Sequence, residues 1–282
     1  MSIRIFTDAA ADLSHEESSA LGVHVIPLQV IFGEETYLTG ETLDRDTFWN
    51  RLISGENPKT SQPSPEAFLH AFEAALIAGD EIVYISVSSA LSGTMQSAML
   101  ARSMLDTSAV HIVDSGSVSV GQKLLILAAC RLRNEGRLSA AQIAQELEQL
   151  RSRVRVFATV DTLEYLARGG RISKAAASIG TLAQLKPQIT ISPEGTVEVY
   201  GKAIGRHRAI DALVKKIASF EIDHEYLIIP VYSHIAENAD AFMRRLIKEG
   251  ITCDAKLLTD LGPAIGTHVG PNAFGLAFIE RA

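Results

Sequence analysis

Glu81-Ile82-Val83-Tyr84-Ile85-Ser86-Val87-Ser88-Ser89-Ala90-Leu91-Ser92-Gly93-Thr94-Met95-Gln96-Ser97 is the stretch from which the fold can be read. Residues 81–85 are an apolar, β-rich run of the length of a buried strand. From Thr94 to about Leu105 the chain is rich in Ala, Met and Leu and predicts a helix. Small hydroxyl residues and one glycine therefore stand where a strand hands over to a helix. The first turn of a helix has unpaired backbone N–H groups and a partial positive charge, and Ser92 is placed to cap it. Such a turn suits a phosphate or a carboxylate. An ordinary strand-to-helix loop with a serine cap accounts for the same residues.

The same alternation extends outward. Residues 3–7 predict a strand ending at Asp8, and 12–14 open a helix that Gly22 stops. Residues 23–32 read as extended around Pro27, and 42–52 as a helix. The loop 56–65 is dense in Pro, Ser and Thr, and Pro63 and Pro65 hold it out of helix until Glu66. A helix over 66–78, a strand over 110–113 and helices over 121–134 and 139–153 follow. This pattern predicts a parallel sheet covered on both faces, an α/β/α sandwich. Ligands of such sheets bind beyond the C-terminal ends of the strands, here the loops at Asp8, 88–93 and 114–117.

After about residue 153 the rhythm changes. A strand over 154–160, a short helix over 161–167 broken by Arg168-Gly169-Gly170-Arg171, and a helix over 173–185 precede a hairpin around Pro193-Glu194-Gly195. A basic amphipathic helix (206–220), strand 226–232, helix 236–249, strand 255–258 and strand 274–279 complete the chain. The expected fold class is α/β in two domains. The first, residues 1–153, holds the parallel sandwich. The second, 154–282, holds a mixed or antiparallel sheet.

Composition narrows the function. The 282 residues are 47% hydrophobic and 21% charged, as in soluble globular proteins. A net charge of −7 argues against nucleic-acid binding, which needs clustered Lys and Arg, and so against a DNA-binding regulator. No apolar run approaches the ~20 residues that span a bilayer, and no signal peptide is expected. Cys130 and Cys253 lack a metal-binding spacing and predict no disulfide, which fits a reducing cytoplasm.

Catalytic signatures are scarce. Ser92 has Ala90 two residues before it and Thr94 two after, so it is not a nucleophile elbow. Neither a Walker loop nor a Gly-x-Gly-x-x-Gly is present, and the histidines have no metal-ligand spacing. Strand-end capping and turn formation account for Asp8, Asp114 and Asp161. His268 lies among Gly262, Gly266, Gly270 and Gly275. Glycine permits close approach, so this histidine could donate to an anion, cap its own helix or bond within the core. Arg168-Gly169-Gly170-Arg171 is either a solvated loop or a contact for an acidic partner.

Four motifs occur in order: Thr60-Ser61-Gln62-Pro63, then Ser88-Ser89-Ala90-Leu91-Ser92-Gly93-Thr94, then Leu163-Glu164-Tyr165-Leu166-Ala167-Arg168-Gly169-Gly170-Arg171-Ile172-Ser173, then Gly266-Thr267-His268-Val269-Gly270. With Phe6-Thr7-Asp8 and Leu185-Lys186-Pro187, the set resembles the DegV family of bacterial fatty-acid-binding proteins over nearly the whole chain. The resemblance implies a long-chain fatty acid held between two α/β domains, its carboxylate on hydroxyls of the first two motifs with the late histidine nearby. Carried onto this chain, those are Thr60 or Ser61, Ser92 with Gly93, and His268. It also implies a lipid-binding, non-catalytic protein without metal or cofactor. The protein would present its ligand to a separate ATP-dependent fatty acid kinase that forms an acyl phosphate for phospholipid metabolism. Arg168 and Arg171 are then the expected docking residues, and transient contact with a membrane surface is compatible with that role. Ala90 replaces a usual glycine, and Asn272 and Phe274 replace smaller or aliphatic residues. The rival reading is a stand-alone hydrolase or phosphotransferase acting on a small anion beside Asp8 and Asp114.

Overall fold

The computed structural model describes residues 2–173 and 184–282. The helix expected over 173–185 falls almost wholly outside them. Strands β1 (Ile3–Asp8), β2 (Val23–Ile26), β6 (Glu81–Ser86) and β7 (Val110–Asp114) form a parallel sheet in the order β2-β1-β6-β7. Helices α3 (Pro65–Ile77) and α4 (Thr94–Met104) cover one face, where Phe68, Phe72, Ala98 and Ala101 bury against Phe6, Ile82 and Tyr84. Helices α5 (Val120–Glu135) and α6 (Ala140–Leu150) cover the other. Local chemistry fixes several starts. Ser14 with Glu17 and Ser139 with Gln142 form capping boxes for α1 (His15–Leu21) and α6, each satisfying two orphan donors. Ser64 caps α3 with Pro65 in its first turn, as Pro at that position allows.

The second sheet is six-stranded and mixed. It comprises β8 (Val154–Thr159), β9 (Leu185–Ile191), β10 (Val197–Ile204), β11 (Ile229–Tyr232), β12 (Thr259–Asp260) and β13 (Phe274–Ile279), in the order β10-β9-β8-β13-β11-β12. Strand β13 shows why both of its faces are covered. Its alternate residues Leu276 and Phe278 bury among Ile210, Leu213, Phe242 and Leu246 of α8 (Arg206–Ile217) and α9 (Glu237–Lys248). Ala277 and Ile279 point the other way, into the same cluster as Leu124, Leu125, Ile5 and Ile85. Helix α5 is thus shared by both sheets, which explains why residues 120–126 along it are all buried. The mixed fold class expected from sequence is present.

Two expectations need correction, and one stretch that the sequence left without an element takes a definite form. The predicted strand 255–258 is a 3-10 turn, Ala255–Leu257, because Asp254 accepts from the Lys256 N–H at 2.9 Å and closes the chain there; the strand follows at β12. The loop 56–65 contains β5 (Lys59–Ser61). It pairs with β3 (Gln29–Phe32), which also pairs with β4 (Glu35–Leu38), in a three-stranded antiparallel sheet. The glycine-rich stretch 262–270 is a helix, α10 (Pro263–Val269), begun by Pro263 and ended by Gly270 at φ 74°. The remaining helices are α2 (Arg45–Ile53), which packs its Phe48 and Trp49 under the small sheet, and α7 (Glu164–Arg168).

Candidate head-group site and apolar cavity

The three-stranded sheet brings Thr60 to α10. Its Oγ1 lies 2.8 Å from His268 Nε2. Neighbours along a strand face opposite ways, so Ser61 does not share this contact, and its Oγ makes only a 3.5 Å bond to the Gln62 carbonyl. His268 is largely buried, and its Nδ1 has no partner among the described residues. A buried unpaired N–H is costlier than an unpaired lone pair, which places the ring proton on Nε2. Thr60 then accepts from His268, and its own hydroxyl proton is free to donate outward. Burial, reinforced by the nearby Arg171 charge, pulls the His268 pKa down to about 4, so the ring is neutral at pH 7.

Two glycines let this pair form. Gly169 lies flat against the imidazole; a methyl group there would sit 2.1 Å from His268 Nδ1. Gly266, two residues before His268, touches Phe48 and Trp49 of α2, where an added Cβ would come within 2.7 and 2.9 Å of their rings. The far end of α10 is held by buried Ser233, which donates to the Gly270 carbonyl at 2.8 Å and accepts from the Ala273 N–H.

The 88–94 turn follows β6, as the sequence implies, but Ser92 is not the helix cap. Gly93 occupies that position, and no side chain caps the first turn of α4. One residue too early to cap, Ser92 pairs its Oγ with Thr94 Oγ1 at 2.8 Å. Gly93 abuts the Gln62 amide, which donates to Ser97 Oγ at 2.9 Å. Arg171 closes the circuit. It donates from Nε to the Leu91 carbonyl at 3.1 Å, and burial lowers its pKa. No carboxylate among the described residues pairs with it. Arg168, by contrast, is exposed, held by Asn57 and by Glu164 at 2.7 Å. The structure thus pairs Thr60 with His268 directly, brings the Arg171 charge near them by bonds to the Leu91 and Gly169 carbonyls, joins Ser92 and Gly93 to the cluster through Leu91 and Gln62, and leaves Ser61 and Arg168 outside.

Beside this polar cluster is a slot of about 70 Å³ with wholly apolar walls. Leu166 of α7 and Ile265 and Val269 of α10 are among its walls, so the elements that carry the polar groups also bound the slot. A far larger cleft of about 1000 Å³ runs along the outer edge of β2. Arg4, His15, His24 and Asp44 among its lining residues make it unsuited to an alkyl chain, and none of the residues of α7 lines it. The acids invoked by the rival enzyme reading are committed to structure. Asp8 accepts from the Ala10 and Val87 N–H groups and from Tyr84 Oη. Asp114 accepts from Ser89 and the Gly116 N–H. Among the described residues no group of three or more His, Cys, Asp or Glu could hold a metal ion, and no helix is long and apolar enough to cross a membrane. Both cysteines are free.

Sequence reasoning missed the second roles of Gly169, Gln62 and Arg171. The one available signal was that Arg171 lies within an ordered motif rather than in a scattered charge run.

Two sheets sharing one helix, with a hydroxyl, an imidazole and a guanidinium gathered beside an apolar slot, define a mixed α/β protein of two-sheet architecture. The chain belongs to the DegV family: residues 2–281 match the family model described as an uncharacterised protein of the DegV family. It is 34% identical to a DegV domain-containing protein of Staphylococcus aureus over 98% of each chain. Among solved structures, it is similar to a DegV protein from Thermus thermophilus described by its fatty acid binding (33% identity, TM-score 0.88, 100% of both chains). It is likewise similar to a stearic-acid-binding protein from Eubacterium ventriosum (28% identity, TM-score 0.89, 99% and 98% covered) and to a fatty acid binding DegV protein from Bacillus subtilis (31%, 0.83, 100% of both).

Proposed function

We propose that this chain binds one long-chain fatty acid, its carboxylate on Thr60, Ser92 and His268 with Arg171 as counter-charge, and its tail in the apolar slot. The observation that carries this reading is the Thr60–His268 pair, oriented to donate, standing beside a slot with no polar wall. Fourteen buried methylenes supply on the order of 11 kcal/mol before ordering costs. A carboxylate buried without donors would lose several kcal/mol of that; hydroxyl donors and a guanidinium offset the loss. The small slot requires its lining side chains to part as the tail enters. The ligand then lies between residues 1–153 and 154–282, which we treat as the two domains.

We further propose a non-catalytic, cytoplasmic role. The bound acid is presented to a separate ATP-dependent kinase that forms an acyl phosphate for phospholipid metabolism, with transient membrane contact for loading. No cofactor, metal or nucleic acid enters this scheme. Exposed Arg168 suits docking of that partner, whereas Arg171 faces the ligand. Native mass spectrometry of the purified chain, with identification of the extracted lipid, tests the reading. One fatty acid per chain is expected. A chain that carries none and takes up neither palmitate nor oleate refutes it. Arg168→Glu is expected to lower kinase-dependent turnover without changing fatty-acid affinity; unchanged turnover refutes the docking role.

A further inference from the structure

Asp12 is buried at 3% exposure and sits at a position with φ 53°. Facing it is Ser119, also buried and also at positive φ, 54°. Non-glycine residues rarely adopt such φ values and persist there only when their surroundings enforce them. The enforcement is visible. Asp12 Oδ2 accepts from Ser119 Oγ at 2.5 Å, and Oδ1 accepts from the Gly262 N–H at 2.8 Å. Gly262 is the N-cap residue of α10, and the helix has no cap from its own side chains. So an aspartate near residue 10 holds the start of the helix that carries His268, 250 residues away in sequence. Ser233 holds the other end.

We propose that Asp12 is a positioning residue for the head-group site: its carboxylate anchors the N-terminus of α10 and so sets where His268 stands against Thr60. Burial pushes the Asp12 carboxyl up to about 7, against the opposing pull of Ser119, Gly262, Arg45 and Lys123. The charged neighbours are placed on every side. From α2 comes Arg45, paired with Asp260 of β12; from α5 comes Lys123, paired with Glu17 of α1 and bonded to Thr259. Around neutrality the anchor therefore changes from a charge-assisted hydrogen bond to a neutral one, which is weaker by about half.

The affinity part of the test rests on the fatty-acid reading; the spectroscopic part does not. Palmitate affinity is measured from pH 6 to 8.5 in wild type, Asp12→Asn and Asp12→Ala. Asparagine tolerates positive φ and keeps an acceptor for Gly262 but cannot ionise. Wild-type affinity is expected to rise several-fold across this range. Asp12→Asn should stay flat near the low-pH wild-type value, and Asp12→Ala should bind more weakly still. In parallel, the His268 Cε1–H resonance is followed by NMR without ligand. His268 itself does not titrate in this range, so its resonance should drift with a midpoint near 7 in wild type and not in Asp12→Asn. A pH slope that survives in Asp12→Asn, or wild-type affinity in Asp12→Ala, overturns the proposal. So does a His268 resonance identical in all three proteins. Absence of palmitate binding in wild type alongside the expected resonance drift would instead refute the fatty-acid reading and leave the positioning role standing.

Discussion

Replacing Gly169 with alanine should separate stability from binding. Gly169 has φ −73° and ψ −10°, a conformation that alanine adopts freely. On the backbone alone, the change should stabilise the chain by about 0.4–1 kcal/mol. The added Cβ, however, would stand 2.1 Å from His268 Nδ1. The ring must shift by about 0.9 Å to reach even the closest tolerated contact of 3.0 Å, which displaces Nε2 from its 2.8 Å contact with Thr60 and spoils the alignment of that bond. Thr60 then loses the partner that orients its proton. A hydrogen bond to a charged group is worth about 1.5–3 kcal/mol, so fatty-acid affinity should fall about 10- to 150-fold. Isothermal titration with palmitate gives the affinity, and a thermal melt gives the stability. Wild-type affinity in a folded Gly169→Ala protein would show that the Thr60–His268 contact does not serve the carboxylate.

Other perturbations follow the same logic. Arg171→Met keeps the aliphatic stem and removes the charge, and should weaken binding about ten-fold or more; equal affinity at low and high salt for both proteins would refute the counter-charge role. Gly266→Ala forces a methyl group against two buried rings and should cost about 1–3 kcal/mol, read in a urea melt by the fluorescence of Trp49, the only tryptophan. An unchanged midpoint would contradict that contact. Asp12 also makes a stability prediction. Its folded pKa is raised from 3.8 to about 7, so the folded state binds the proton more tightly than the unfolded state. The stabilisation by protonation is full below about 4 and is lost as pH rises through 7. Asp12→Asn should therefore be more stable than wild type at pH 8 by on the order of 4 kcal/mol, with the gap closing toward pH 4. A gap that does not change with pH would refute it.

The sequence was legible where burial is periodic and termini are capped by local chemistry. Strands β1, β6 and β7 read correctly because continuous apolar runs mark strands buried on both faces, and α1, α3 and α6 because Ser14, Ser64 and Ser139 announce their starts. Legibility failed where long-range contact decides. The three residues of β5 are polar, and only pairing to Val30 and its neighbours makes them a strand. Helix α10 had no clear helical signature because the close approach of Phe48, Trp49 and Tyr165 requires glycines in and after it, so that helix propensity gave way to packing. At the site, the resemblance brought Thr60, Ser92 and His268 forward, but which of Thr60 and Ser61 faces the histidine depended on the strand face. The inward turn of Arg171 and the reach of Asp12 to Gly262 are tertiary facts with no local signature.

Strand β13 follows every other strand of its sheet in sequence yet lies in the middle of it, between β8 and β11. During synthesis those two strands wait as open edges until it leaves the ribosome, and open edges recruit wrong partners. Helix α10 immediately precedes β13, so His268 reaches Thr60 only after the two hundred or so residues between them have been made. A ribosome-bound intermediate that stops short of α10 and β13 should therefore depend on chaperones to shield β8 and should lack the Thr60–His268 contact, which forms in the same step that completes the sheet.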